Sequence, residues 1–193
     1  MAPFRSAIGT AITRRAALFG IAATAAAAAS PAFASAPAIQ RNLGAFRSMH
    51  VVNPRTEESL NTVYWIDGEY IPEALNAIDV IMRDWREDLV HRIDPRTIDI
   101  LSAAHRLLGC SEPFHIVSGY RSPKTNRLLR RQSGGVARNS FHLKGMAADI
   151  QLATRSVDQI CSAALSLHAG GVGRYTRSEF VHVDSGPVRD WGR

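Results

Sequence analysis

The sequence is poor in cysteine and in long apolar runs, and these two shortages exclude several classes of protein. Its 193 residues include only two cysteines, Cys110 and Cys161, which are too few for a disulfide-rich scaffold or a cysteine-based zinc knuckle. The most apolar stretch, residues 16–29, is shorter than the about 20 residues that a membrane-spanning helix needs. The two thiols could pair in an oxidising compartment or stay separate and buried, and the sequence leaves both states open.

Charge of either sign is also sparse. Charged residues make up 21% of the chain, and the formal net charge is +6. The first 34 residues contain three arginines and no acid, so the rest of the chain has 20 basic and 17 acidic residues, a net charge of +3. Such a small excess argues against nucleic acid as a partner, because a nucleic-acid interface usually needs a dense basic patch. It is compatible with an anionic partner such as a cell-wall polymer.

The first 34 residues have the pattern of an export signal. Arg14 and Arg15 precede an alanine-rich apolar run, and small residues near Ala34 offer a cleavage site. The paired arginines resemble a Tat signal, although Ala17 stands where phenylalanine is more usual. The sequence therefore predicts a Tat-like signal peptide over residues 1–34, a linker over 35–42 and one domain over 43–193. After cleavage we expect a soluble periplasmic protein without stable membrane insertion, whose oligomeric state the sequence leaves open.

Behind this segment the residue pattern mixes helices with strands. Two extended runs, Ser48–Val52 and Thr62–Ile66, flank a polar turn and predict a β-hairpin. Apolar residues at three- and four-residue spacing predict a helix from Pro72 to Ile93, and Asp94 followed by proline predicts the start of another. Further strands are predicted over residues 113–120, 145–152, 171–175 and 180–186. Because strands and helices do not alternate as parallel units, the predicted class is α+β with antiparallel strands.

A histidine and an aspartate in one short stretch form the most informative motif. In "NSFHLKGMAADI", residues 139–150, His142 is predicted in a loop and Asp149 on the strand that follows. Gly145 would let the loop bend back, and the small Ala147 would leave room on the face of the strand that carries Asp149. His182 lies on a second strand-like stretch, among apolar neighbours. Two imidazoles and one carboxylate suit an open zinc site, which would activate water for hydrolysis.

The spacing of these residues resembles that of a known family. Ser140-x-His142-x-x-Gly145-x-Ala147-x-Asp149 is similar to the signature of the zinc D-Ala-D-Ala peptidases, which share a fold with the hedgehog signalling domain. The stretches "SGYRSPKTN", "GGVGRY" and "FVHVDSGPVRDW" resemble more closely the YcbK-like murein endopeptidases of Gram-negative bacteria. The resemblance implies a single hedgehog/DD-peptidase-like α+β domain, with a central antiparallel sheet flanked by helices.

The same resemblance implies a substrate and a set of ligands. His142, Asp149 and His182 would bind Zn²⁺, and Arg121 would present its guanidinium to the polarised carbonyl oxygen or to a substrate carboxylate. The expected protein is a periplasmic zinc metallopeptidase that hydrolyses peptide bonds in peptidoglycan stem peptides or cross-links, as an endopeptidase rather than a carboxypeptidase. The alternative is a zinc-containing module that binds or regulates peptidoglycan without turnover.

Two acids compete for the role of general base. Glu179 stands three residues before His182, where some relatives carry an acid, and the resemblance favours it. On a regular strand Glu179 would need a bulge or a strand end to face the metal. Asp184 is the alternative, because residues i and i+2 of a strand point to the same side, so that Asp184 shares a face with His182.

Overall fold

The computed structural model describes residues 45–192, and its centre is a mixed sheet of eight strands with helices packed against it. The strands are β1 (Phe46–Asn53), β2 (Glu58–Ile66), β3 (Glu69–Tyr70), β4 (Phe114–Ser118), β5 (Ala147–Gln151), β6 (Gly171–Tyr175), β7 (Phe180–Asp184) and β8 (Arg189–Trp191). The helices are α1 (Pro72–Ile81), α2 (Pro95–Leu108), α3 (Pro123–Gln132) and α4 (Val157–Ser166), with 3₁₀ turns at Phe141–Lys144 and Thr176–Ser178. The predicted signal peptide and linker lie outside the described residues.

The order of the strands places β5 and β7 side by side in the middle of the sheet. From edge to edge the order is β3-β2-β1-β4-β5-β7-β6-β8. Most neighbours are antiparallel, whereas β1–β4 and β6–β8 are parallel. This architecture confirms the predicted α+β, hedgehog/DD-peptidase-like class and the single domain, and it makes the sheet mixed rather than purely antiparallel. Across β5 and β7, Asp149 lies directly opposite His182.

The hydrophobic core lies between the sheet and the helices α1, α2 and α4. Residues that alternate along β1, such as Met49 and Val51, are buried, and β1 pairs with β2 as the predicted hairpin. Helix α2 begins where Asp94 accepts a hydrogen bond from the backbone nitrogen of Arg96 at 3.0 Å, as its capping sequence predicts. One face of each of these helices packs against the sheet, so the central strands lie between the core and the cleft described below.

The predicted first helix is shorter than its apolar periodicity indicates. It ends at Ile81, whose carbonyl accepts a hydrogen bond from the Asn53 side chain at 3.2 Å. Just beyond it, the buried carboxylate of Asp84 accepts hydrogen bonds from the backbone nitrogens of Arg86 at 3.1 Å and Ser122 at 2.9 Å. These tertiary partners replace the helical hydrogen bonds, so the following residues form a turn beside the central strands.

The described chain contains no membrane-crossing candidate and no disulfide. Within residues 45–192, no helix has the length and apolar character that a bilayer span requires. Cys110 and Cys161 are both free thiols, so the structure favours the unpaired of the two states that the sequence leaves open.

Candidate metal centre

Three potential ligand atoms converge on the floor of a cleft. His142 Nε2 lies 3.2 Å from Asp149 Oδ1 and 3.2 Å from His182 Nδ1, and His182 Nδ1 lies 2.9 Å from Asp149 Oδ1. Ligand atoms about 2.0–2.2 Å from a tetrahedral zinc are separated by about 3.3 Å, so this triangle has the size that such an ion needs. Among residues 45–192, these three form the cluster of histidine, cysteine or acidic residues that could hold a metal ion.

The loop before β5 holds His142 in a defined orientation. Ser140 Oγ accepts a hydrogen bond from the backbone nitrogen of His142 at 3.3 Å, which starts the 3₁₀ turn. Gly145 ends that turn with φ of 66°, and a Cβ at this position would lie 2.1 Å from the carbonyl oxygen of Arg92. His142 Nδ1 donates to the carbonyl of Gly119 at 2.7 Å. Because this hydrogen bond places the proton on Nδ1, it leaves the Nε2 lone pair free for a metal.

His182 is oriented by a carboxylate on the side away from the cluster. Its Nε2 donates to Asp184 Oδ2 at 2.9 Å, which leaves Nδ1 directed at Asp149 and His142. Asp184 is fully buried and is itself held by Arg189, which donates to both carboxylate oxygens at 2.7 and 3.0 Å. A carboxylate that binds the outer nitrogen of a ligand histidine fixes the ring and increases its basicity.

Burial and the neighbouring charges act in opposite directions on the pKa values of the three cluster residues. Burial alone would raise the pKa of Asp149, but His142 and His182 outweigh it and hold this pKa well below its usual range. Burial lowers the pKa of His142. It also works against protonation of His182, yet hydrogen bonds to Asp149 and Asp184 raise the pKa of His182 to about 9. A divalent cation would therefore replace a proton at this site, since metal binding needs the unprotonated imidazole.

The cluster opens into a cleft, which we call the central cleft, with a volume of about 540 Å³. Its walls include Arg86, Arg121, Phe141, Tyr175, Arg189 and Trp191. Arg121 is buried, and its Nη2 donates to Asp149 Oδ2 at 3.2 Å and to Ser118 Oγ at 3.2 Å. Its Nε is buried and has no hydrogen-bond partner. Arg121 thus lies beside the cluster and lines the cleft, with one donor that no described protein group accepts from.

The structure does not bring the two predicted general bases into the central cleft. Glu179 ends the 3₁₀ turn before β7 with φ of 55° and lines a separate cavity with His115 and Thr176. Asp184 lies behind His182, on the ring nitrogen that faces away from the cluster. Among the described residues that line the central cleft, Asp149 is the one carboxylate. The assignment of a general base to either acid stays a prediction, and the position of Asp184 is that of a residue orienting His182.

Several contributors to the site were not found from the sequence. The Gly119 carbonyl acts through one hydrogen bond and Arg189 through an ion pair with two hydrogen bonds, and neither contact leaves a spacing pattern in the sequence. Trp191 donates to Tyr175 Oη at 3.0 Å, and its ring lies 5.2 Å from that of His182. Gly173 makes room for this indole, because a Cβ there would lie 2.5 Å from the Trp191 ring. The aromatic residues near the chain end were the one available signal for this wall.

The fold and the site together define a class of protein. A mixed sheet whose adjacent strands carry Asp149 and His182, with His142 on the preceding loop, is the arrangement of a metal-dependent peptidase of the hedgehog/DD-peptidase type. Residues 42–191 match the family model Peptidase_M15_2, which is described as "Peptidoglycan L,D-endopeptidase MepK". The chain belongs to this peptidase family.

Curated relatives agree with the family assignment over most of the chain. The chain is 40% identical over 175 residues to the peptidoglycan L,D-endopeptidase MepK of Escherichia coli strain K12, covering 91% of this chain and 93% of that protein. The MepK protein of Shigella flexneri is similar to the same extent. The probable MepK protein of Haemophilus influenzae is 41% identical over 140 residues, which cover 72% of this chain and 75% of that protein.

Proposed function

We propose that this protein is a zinc metallopeptidase that hydrolyses a peptide bond in peptidoglycan as an endopeptidase. The observation that carries the proposal is the convergence of His142 Nε2, Asp149 Oδ1 and His182 Nδ1 within 3.2 Å of one another at the floor of an open cleft. The substrate class follows from the relatives, whose names describe peptidoglycan L,D-endopeptidases.

Zinc is the metal that suits this donor set. Two neutral imidazole nitrogens and one carboxylate oxygen are the ligands of many catalytic zinc sites, in which a fourth position is left open. When bound, the ion would supply a Lewis acid that polarises the peptide carbonyl and activates water. His142, Asp149 and His182 would hold it, and the hydrogen bonds to Gly119 and Asp184 keep both rings directed at it.

Arg121 has the position of a group that stabilises negative charge during the reaction. Its guanidinium is buried beside Asp149 and lines the central cleft. A fixed cation in a water-poor site favours the developing oxyanion of a peptide carbonyl more than it would in water. Since Arg121 also bonds Asp149, it helps to keep that carboxylate ionised and correctly oriented for the metal.

The site of action is outside the cytoplasm. Peptidoglycan is the substrate in the names of the relatives, and the first 34 residues have the composition of an export signal. We propose export to the periplasm by the Tat route, with Arg14 and Arg15 as the recognised pair. Fusion of residues 1–42 to a reporter tests this step. The reporter should be one that becomes active only when it folds in the cytoplasm before export. Replacement of both arginines by lysine should retain the reporter in the cytoplasm, and unchanged export would exclude the Tat route.

Metal analysis combined with digestion of cross-linked muropeptides tests the enzymatic proposal. We expect about one zinc per chain and release of the cross-linked peptides by the wild-type protein. His142→Ala should lose both the metal and the activity, whereas His50→Ala, on the distant strand β1, should lose neither. A wild-type protein that binds zinc and leaves every muropeptide intact would instead be a binding or regulatory module.

A further inference from the structure

Three arginines line the central cleft, and two of them already have anionic partners. Arg189 donates to both oxygens of Asp184 at 2.7 and 3.0 Å. Arg121 donates to Asp149 at 3.2 Å and to Ser118 at 3.2 Å. Both of these guanidinium groups therefore support the metal cluster, one directly and one through Asp184.

The third arginine, Arg86, is available for a ligand. Within residues 45–192 its guanidinium makes neither an ion pair nor a hydrogen bond, and it lies 4.2 Å from the centroid of the Trp85 ring. Stacking on an aromatic ring holds a guanidinium in place while its five donors remain free at the edges. Arg86 is solvent-exposed and also lines the cleft, so its cation can reach a bound ligand.

The backbone around Arg86 is hydrogen-bonded to the segment after β4 that carries Arg121. The turn after α1 is held by Asp84, whose carboxylate accepts hydrogen bonds from the backbone nitrogens of Arg86 and Ser122. Met82 accepts a further hydrogen bond from the backbone nitrogen of Tyr120 at 2.7 Å. These contacts join the backbone on either side of Asp84 to residues 120–122, so the backbone of Arg86 is held beside Arg121 before any ligand binds.

The charges around Arg86 comprise one acid and two further arginines. Burial lowers the pKa of Arg86, Asp84 opposes this, and the neighbouring cations Arg121 and Arg55 lower it further. The negative charge of Asp84 is stabilised by the hydrogen bonds that its carboxylate accepts from the backbone nitrogens of Ser122 and Arg86. Two guanidinium groups on one cleft repel each other, and a bound carboxylate would relieve that repulsion.

We propose that Arg86 forms a carboxylate-binding subsite on the wall of the central cleft, where it binds a free carboxylate of the peptide substrate. This inference rests on the proposed function and adds a specificity to it: the protein prefers anionic stem peptides to their amidated forms. A guanidinium donates two parallel hydrogen bonds to the two oxygens of a carboxylate. An amide has only one acceptor oxygen, so it can accept only one of these hydrogen bonds. Since the Arg86 side chain contacts none of the three ligand residues, its removal should act on substrate binding rather than on the chemical step.

Steady-state kinetics on a purified cross-linked muropeptide tests the subsite. Three forms of the substrate are compared: all carboxylates free, the stem carboxylate next to the scissile bond amidated, and the C-terminal carboxylate amidated. For Arg86→Gln we expect the KM of the free form to rise about tenfold with kcat changed less than about twofold. Arg86→Lys should be intermediate, because an ammonium keeps the charge and loses the fork.

Arg55→Gln is the matched control, because Arg55 approaches the same Trp85 ring at 5.7 Å and does not line the cleft. It should leave the kinetic constants unchanged. The wild-type protein should lose about tenfold in kcat/KM on one of the two amidated substrates, and Arg86→Gln should lose nothing further on that substrate. That result would show that Arg86 binds a substrate carboxylate and would identify which of the two carboxylates it binds.

Two outcomes would overturn the subsite. One is an Arg86→Gln protein that discriminates between free and amidated substrates as strongly as the wild type does. The other is a variant that loses kcat with KM unchanged while its thermal midpoint stays at the wild-type value. If the wild type cleaves none of the three substrates, the proposed function fails instead, and the two failures are thereby distinguished.

Discussion

The buried clusters around Asp99 and Asp149 each contain an aspartate that bonds an arginine. They differ in how many hydrogen-bond donors face the acceptors. Asp99 accepts hydrogen bonds from Tyr64 at 2.9 Å and Tyr70 at 2.7 Å, and Arg47 forms an ion pair with it at 2.9 Å. Each of these contacts joins a donor to an acceptor. Burial, followed by the charge of Asp99, raises the pKa of both tyrosines, so they remain donors.

Around Asp149 two histidines take the place of the two tyrosines, and their ring nitrogens face the carboxylate and each other. The two imidazole nitrogens and the carboxylate oxygen that face one another can all act as acceptors, and their remaining atoms are already bound to Gly119, Asp184 and Arg121. A buried group of acceptors without enough donors is unfavourable until a cation or a proton joins it. Burial and ion pairing therefore do not identify a functional site, whereas convergence of acceptors on an open cleft does.

Replacing the aspartate by asparagine should remove metal and activity in one cluster and lower stability in the other. The largest effect on activity is expected at Asp149. Asp149→Asn removes the anionic ligand, so zinc content should fall from about one ion per chain to near zero. Muropeptide cleavage should then fall at least about a thousandfold, since metal activation is worth several kcal/mol. Metal analysis and product chromatography measure both changes. Retention of zinc with full activity would show that the cluster is not the metal site.

Asp99→Asn should instead act on stability. It leaves the Arg47 guanidinium buried without its counter-charge, so the free energy of unfolding should fall by about 3–5 kcal/mol. The folded fraction should keep the wild-type zinc content, because Asp99 makes no contact with the metal cluster. Urea denaturation followed by circular dichroism gives the first quantity, and metal analysis of the folded protein gives the second. A loss of zinc without a loss of stability would contradict the comparison.

Asp184→Asn should weaken the metal site without removing a ligand. The amide can still accept a hydrogen bond from His182, but it lacks the charge that holds this ring and Arg189 in place. Zinc affinity should fall about 10- to 100-fold, as is typical when the partner of a ligand histidine is replaced. Titration against a competing chelator measures this. An unchanged affinity would mean that Asp184 does not orient His182.

Glu179→Gln should have the smallest effect. Because Glu179 lines a different cavity from the metal cluster, zinc affinity and kcat should both change less than about twofold. Competition titration and single-turnover digestion give the two values. If kcat falls about a hundredfold while zinc is retained, Glu179 acts as the general base and the turn before β7 must rearrange when the substrate binds.

The metal ligands were accessible from the sequence because short-range geometry brings two of them together. His142 and Asp149 are close in the chain, and a turn ended by Gly145 returns the first toward the second. His182 could be added because its strand pattern and the family resemblance agree. Arg86 could not be predicted in the same way, because the apolar periodicity places it within a helix, whereas Asp84 and Asn53 end that helix at Ile81.

The general base shows a second limit of prediction. Strand alternation correctly places Asp184 on the same side as His182, and the two do form a hydrogen bond. Strand alternation does not say which ring nitrogen of His182 faces the metal cluster. The orientation of the ring decides whether Asp184 lies on the cleft side of His182 or behind it. Side-chain rotation is decided by packing and hydrogen bonds from distant segments, which leave no periodic signal.

What the amino-acid order determined by itself is the kind of domain and the identity of three residues able to bind a divalent ion, because both depend on local spacing and on the alternation of strand side chains. Tertiary structure decided how each imidazole is turned, which arginines are already paired, and which one is left facing the cleft. The reason is physical: spacing along the chain selects a face of an element, whereas the partners of a polar atom are chosen by every segment that packs around it.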